Sequence, residues 1–297
     1  MIDPLSEIIT LLRPRTVSSK LISGAGKWGI YYSAFEQPSF CTILKGSCLL
    51  TIQGKEPVIL NEGDFVFMPV TPSFTISGFG SVVSEQVDAK NTSHVTEEVR
   101  HGDQDGQPDV LMLGGYFSFD SVDTALFVSL LPQLLHVQSA EKLSVLVQLI
   151  RDEFTEQRSG REHILMRLVE ILLIESLRLM EKVDAPVGLL RGLAEPRLAE
   201  ALRHIHGNPS HSWTMDELAR KVALSRSTFF ERFTNAIGIP PMEYLLAWRM
   251  TIAKDLLSQQ NLTITQIAEQ VGYGSASAFS TAFSRYVGLA PSKFTYS

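Results

Sequence analysis

Hydrophobic positions change their period twice along the chain. Leu5, Ile8, Ile9 and Leu12 recur at helical spacing behind Asp3 and Pro4, which predicts a short helix that ends at Pro14. The period then falls to two. Trp28 to Phe35, Phe40 to Leu44, Cys48 to Gln53, Val58 to Leu60, Phe65 to Met68 and Phe74 to Ile76 read as strands. Gly46, Gly54, Glu62-Gly63-Asp64, Pro69 and Pro72 punctuate them, and a Lys45-Gly46 turn would set Cys41 diagonally across a hairpin from Cys48. A second strand set is expected over Ser81 to Val87 and Val110 to Phe119, with a polar loop from His101 to Asp109. Helical spacing returns from Glu141 to Glu156 and from Arg161 to Lys182. The second of these segments leaves only a narrow polar stripe at Arg167, Glu170, Arg178 and Glu181, so it needs cover on more than one side. The β-rich half can supply one side and the same helix of a second subunit the other. Residues 185–192, with Pro186, Gly188 and Gly192, read as a linker.

The last third of the chain carries a repeated pattern. Thr263 caps a helix in which Ile264, Ile267, Ala268 and Val271 form one face, and Gly272, Tyr273 and Gly274 make a tight turn. Ser275 caps the next helix, whose apolar stripe is Ala278, Phe279, Ala282, Phe283 and Tyr286. Thr214, Leu218, Ala219 and Val222 stand 49 residues before Thr263, Ile267, Ala268 and Val271. Ser225, Phe229, Phe233, Gly238 and Pro241 stand 50 before Ser275, Phe279, Phe283, Gly288 and Pro291. Two helix-turn-helix motifs, about 214–233 and 263–286, are therefore expected on either side of a helix from Met242 to Ser258. That helix spans about 25 Å at ~1.5 Å per residue, enough to bring two recognition helices toward the ~34 Å repeat of successive major grooves.

Charge supports this division. The chain carries −6 overall, but from Leu193 onward 10 Lys and Arg face 8 Asp and Glu, so the acidic excess lies upstream. A length of 297 residues with 44% hydrophobic and 20% charged positions suits two folded domains. No apolar run approaches the ~18 residues of a membrane span and the N-terminus lacks a signal-peptide pattern, so a cytoplasmic protein without membrane contact is expected. Two cysteines exclude a disulfide scaffold. His94, His101, His136, His163, His204, His206 and His211 are too scattered for a metal site, no phosphate-binding loop or nucleophile elbow occurs, and no cofactor is expected.

The residues from Pro196 to Phe294 resemble the DNA-binding domain of the AraC/XylS transcription regulators, through Ser225 to Phe233 (SRSTFFERF), Gly238 with Pro241, Ala253 with Leu256 and Leu257, and Ile267-Ala268 with Val271-Gly272-Tyr273 and Phe279. The family commonly has an arginine late in each recognition helix, where Glu231 and Thr281 stand here. Upstream, DPLSEIITLLRPR, LKGSC, LNEGDFVFMP, GGYFSFD and LLPQLLHV resemble the cupin-type sensor domain of some of these regulators. Enzymatic cupins bind metal through histidines, and Phe40 and Ser73 or Phe74 occupy the matching positions.

The resemblance implies an α+β protein of two domains. Residues 1–184 form a cupin-like antiparallel sandwich or barrel with accessory helices at about 141–182, which senses and dimerises; residues 193–297 form an all-α DNA-binding domain. The expected function is sequence-specific regulation of transcription, as an activator controlled by a small effector or a chemical signal at the N-terminal domain, with double-stranded DNA, a second copy and RNA polymerase as partners. DNA-facing candidates are Arg226, Ser227, Thr228, Glu231, Arg232, Ser275, Ala276, Ser277, Ser280, Thr281 and Arg285. Trp28, Tyr31, Phe40, Phe65, Phe67 and Phe74 are candidates to line an effector cavity, and Cys41 and Cys48 to sense oxidants. The competing classes are a metal-independent cupin-type enzyme and a helical interaction module that binds DNA weakly.

Overall fold

The computed structural model describes residues 3–35, 37–80, 85–87, 98–119, 125–138, 141–156, 158–180 and 186–294. His94, residues 81–84 of one expected strand, residues 181–182 of an expected helix and residue 185 lie outside them. In chain order come α1 (Pro4–Leu12), β1 (Pro14–Ala25), β2 (Gly29–Tyr32), β3 (Ser39–Ile52), β4 (Val58–Asn61), β5 (Phe65–Met68) and β6 (Phe74–Ser77). Next are β7 (Glu85–Val87), β8 (Val99–Gly102), β9 (Val110–Phe119), α2 (Ala125–Leu130), β10 (Leu135–Val137), α3 (Glu141–Glu156) and α4 (Arg161–Met180). The helices α5 (Leu189–Ala194), α6 (Pro196–Gly207), α7 (Met215–Lys221), α8 (Arg226–Ile237), α9 (Pro241–Gln259), α10 (Ile264–Gln270) and α11 (Ala276–Val287) complete the fold. The chain divides into two compact units: a β unit of Pro14–Ser118 with Pro132–Met180, and a helical unit that joins α1 and α2 to the C-terminal helices.

In the β unit, β3 is the strand on which the rest is hung. Its first half pairs with β5 and β9, and its second half with β4 and β6, so one strand belongs to two sheet faces. The turn expected at Lys45-Gly46 is instead a bulge: the register against β9 shifts between Ile43 and Lys45, and Gly46 takes φ +77°. A side chain on Gly46 would run into the Asp109 carbonyl. Cys41 and Cys48 therefore lie along one continuous strand and not across a hairpin. β1, whose polar sequence hides it, pairs in parallel with β8, which takes His101 and Gly102 out of the expected polar loop. Between the faces lies a core that includes Ile22, Trp28, Ile30, Ile43, Leu50, Leu60 and Met112.

Helices α3 and α4 bury Leu143, Val147 and Ile150 of one, and Leu165, Val169, Leu172, Leu173 and Leu177 of the other. Their outer side is less polar than usual. Val145, Leu149, Ile164 and Ile171 are 45–58% exposed.

The helical unit has a core drawn from three separate stretches of chain. Ile8 of α1 and Leu130 of α2 are buried in the same cluster as Leu189, Leu198, Leu202 and Ile205. Asp3 caps α1 by accepting from the Leu5 amide at 3.3 Å, and Arg13 pairs with Asp255 at 3.1 Å. Residues 189–192 of the expected linker are helix, because Leu189 and Leu190 are buried and the Gly188 amide donates to the Ala236 carbonyl at 2.8 Å. Among the described residues no helix is long and apolar enough to cross a membrane.

Candidate nucleic-acid interface

The two motifs are built by the same local chemistry. Thr214 accepts from the Glu217 amide at 3.2 Å and Thr263 from the Gln266 amide at 3.3 Å; Gln266 returns a bond to the Thr263 amide, closing a capping box. After the first helix of each pair, the Leu224 amide reaches the Ala219 carbonyl at 2.9 Å, and the Tyr273 amide reaches the Ala268 carbonyl at 2.8 Å. Ala223 and Gly272 hold the left-handed position of the two turns, at φ +53° and +83°. Ser225 and Ser275 then cap the recognition helices by accepting from the Thr228 and Ala278 amides. Gly238 and Gly288 end them in the left-handed region.

Helix α9 fixes one motif against the other. Tyr244, Leu245 and Trp248 pack with Phe229 and Phe233, while Met250 and Ala253 pack with Ile267, Phe279 and Phe283. Its 19 residues span about 28 Å at ~1.5 Å each. Arg249 adds a polar clasp. Its guanidinium donates to the Pro209 and His211 carbonyls, both at 2.8 Å, and lies 5.9 Å from the Tyr273 ring centroid. One side chain thereby ties the loop that leads into α7 to the turn between α10 and α11.

Phe229, Phe233, Phe279 and Phe283 are fully buried, which fixes the rotation of both recognition helices. On α8, Arg226, Ser227 and Glu231 are exposed, and Thr228 is half-buried with its hydroxyl 2.8 Å from Ser225 Oγ. Arg226 pairs with Asp216 at 3.5 Å. Arg232 is exposed on the far flank and pairs with Glu195 at 3.3 Å, so its charge is directed toward the start of α6. On α11, Ser275, Ser277, Thr281 and Arg285 are exposed, whereas Ala276 and Ser280 are half-buried. The Thr281 hydroxyl bonds back to the Ser277 carbonyl at 3.0 Å. Two members of the stripe expected inside α11 are exposed: Ala278, and Tyr286 at 40%; Phe279 and Phe283 take the buried face, with Val287 packed beside them. The outward residue that periodicity missed is Phe230. It is 45% exposed although it adjoins Phe229.

In the β unit a cavity of about 60 Å³, room for a few waters, is lined by Phe40 and Phe74 together with Lys20, Tyr32, Cys41 and Tyr116 among others. The other four cavity candidates lie elsewhere. Phe65 and Phe67 alternate with Val66 and Met68, which do line it; Tyr31 alternates with Tyr32 in the same way, and Trp28 packs beside Gly78. Lys20 is half-buried, with its ammonium 5.9 Å from the Tyr32 ring centroid, and burial lowers its pKa. Cys41 is buried with its sulfur 3.7 Å from that of Met112. Burial pushes its thiol well up and takes that of Cys48 to about 12, which disfavours the thiolate through which oxidants act. His136 is hydrogen-bonded to buried Asp64 at 2.9 Å.

The chain matches the Cupin family over residues 3–180 and the Helix-turn-helix domain family over residues 218–296. It is 36% identical over 300 residues to a putative AraC-like transcription regulator of Streptomyces antibioticus, covering 98% of each chain. It is 29% identical over 310 residues to the HTH-type transcriptional regulator AlkR of Acinetobacter baylyi, again covering 98% of each. It is 24% identical over 296 residues to the RCS-specific HTH-type transcriptional activator RclR of Escherichia coli, covering 98% of this chain and 96% of that one.

Proposed function

The chain belongs to the AraC-like transcription regulators, and we propose that it sets α8 and α11 into successive major grooves on one face of the duplex. The observation that carries this reading is the pair of motifs fixed on α9, each with its aromatic side buried and its short polar side outward. Ser227, Thr228, Glu231, Ser277, Ser280 and Thr281 are then the base-reading positions, and Arg226, Arg285 and the serine caps hold phosphates. We assign the protein to regulation, not to catalysis, and its place of action to the cytoplasm. Selection on random duplex DNA with the full chain should enrich two elements about one helical turn apart. Recovery of unenriched sequence would overturn the reading.

The effector site of this reading is the cavity at Phe40 and Phe74, with Lys20 as the one charged lining residue among those described. The effector must displace side chains to enter, since the space present holds only a few waters. Activation, with RNA polymerase as partner, is the proposed direction of control.

The proposed dimer uses the exposed apolar residues of α3 and α4, Val145, Leu149, Ile164 and Ile171. Ile171→Glu should convert the full chain from a dimer to a monomer in sedimentation equilibrium, with little change in unfolding midpoint. DNA affinity at matched salt should fall by roughly tenfold as avidity is lost. An unchanged mass would place the interface elsewhere.

A further inference from the structure

The two recognition helices differ most where the fold constrains them least. Phe230 and Glu231 on α8 correspond, 50 residues on, to Ser280 and Thr281 on α11. Phe230 is a large ring left 45% exposed on a helix whose other two aromatics are fully buried. It opens onto a recess of about 660 Å³ that is also lined by Met215, Met242, Arg226, Ser227 and Glu231. Met242 is itself 37% exposed, so the recess sets apolar side chains beside polar ones. Glu231 is exposed next to it and has no ion pair among the described residues.

Each of these residues is costly on a surface meant for DNA unless a base answers it. An exposed ring gains from losing water against an apolar group, and the only such group in the major groove is the thymine C5 methyl. A carboxylate is repelled by phosphates, but it can accept from the cytosine amino group. Consecutive helical residues point about 100° apart with ~1.5 Å of rise, which suits neighbouring base pairs and not the same one.

We propose that the first motif reads a thymine beside a cytosine, the Phe230 ring covering the thymine methyl and the Glu231 carboxylate accepting from the cytosine amino group. The second motif, with hydroxyls at the corresponding places, lacks this pair. The inference rests on the reading of α8 as a major-groove helix, and the test separates the two.

The full chain is titrated against its selected duplex and against duplexes in which each thymine of one half-site is replaced in turn by uracil, which removes only the methyl. One replacement should weaken binding by about three- to tenfold, the value of a single buried methyl. Phe230→Ala should lose a similar factor on the thymine duplex and bind thymine and uracil duplexes alike. Glu231→Ala, which removes the acceptor, should lose the preference for the neighbouring cytosine. If selection yields no specific duplex, the major-groove reading fails and this inference with it. If a specific duplex is bound equally with uracil at every position, or Phe230→Ala still discriminates, only the inference is overturned. The uracil comparison uses the unaltered protein, so misfolding of a variant cannot mask the result.

Discussion

Replacing Gly272 by valine is expected to cost roughly 2 to 5 kcal/mol of stability in the helical unit, the sum of backbone strain and overpacking. Gly272 sits at φ +83°, where a β-branched residue is strained whatever the space around it. The space is also missing. A Cβ there would lie 2.7 Å from the Arg249 guanidinium and 2.7 Å from the Ser210 carbonyl oxygen, and the second neighbour is backbone that cannot rotate away. Because Arg249 is the clasp between the motifs, the damage should reach both. Thermal unfolding should show an earlier transition for the full chain, and binding to the selected duplex should fall beyond what the unfolded fraction explains. The first motif offers a comparison, since Ala223 already tolerates φ +53° at the corresponding turn. Ala223→Val should add β-branched strain at that φ but not the clash with Arg249 and Ser210, and so be milder. Equal losses at the two turns would mean that the clasp contributes nothing.

Acid is expected to destabilise the same unit through His206. The imidazole is stacked on Trp248 with centroids 3.8 Å apart, and its Nε2 lies 2.7 Å from the Tyr244 hydroxyl. Burial lowers its pKa to about 3, so the folded protein keeps it neutral throughout the physiological range. Unfolding releases it to water, where it protonates below about 6.5. As pH falls from about 6.5 the unfolded state thus binds a proton that the folded state refuses. Stability that is intact at neutral pH is lost at about 1.4 kcal/mol per pH unit until pH approaches about 3. By pH 5 the loss from this group should be about 2 kcal/mol. His206→Gln should start less stable at pH 7 and show a flatter decline, so the difference between the two proteins should shrink as pH falls. Parallel declines from pH 7 to 5 would show that His206 titrates normally in the folded state.

Much of the helical unit was legible because its signals are local. A capping residue, an apolar triplet at helical spacing and a left-handed turn define each motif, and the duplication supplies an internal check. In the β unit the signals compete. Gly46 reads as a turn, but the same φ freedom serves a bulge that lets β3 run on between two sheet faces. The polar stretch from Pro14 becomes a strand through its pairing with β8, which no periodicity encodes. The cavity candidates on β2 and β5 differ from the lining by parity: Tyr31, Phe65 and Phe67 take one face of their strands, whereas Tyr32, Val66 and Met68 on the other face line the cavity. Lys20 was invisible for the opposite reason, since a lone lysine in sequence looks like solvated surface. Phe230 was hidden by its neighbour, because two adjacent phenylalanines read as one apolar stripe until Phe229 takes the buried place. Gly188 and Gly192 suggested slack, yet one amide is bonded to α8 and Leu189 and Leu190 between them are buried.

Helix α1 carries a consequence for synthesis and for engineering. Ile8 is synthesised about 190 residues before Leu198 and Leu202, its neighbours in the core. The core of the helical unit is complete only when the chain returns to α1. A chimaera made by grafting the chain from Leu193 onward to another sensor would leave Ile8, Leu130 and Leu189 behind. Its recognition helices would be intact while the body that carries them had lost part of its filling, so a graft that also transfers α1 and α2 should be the one that keeps its fold.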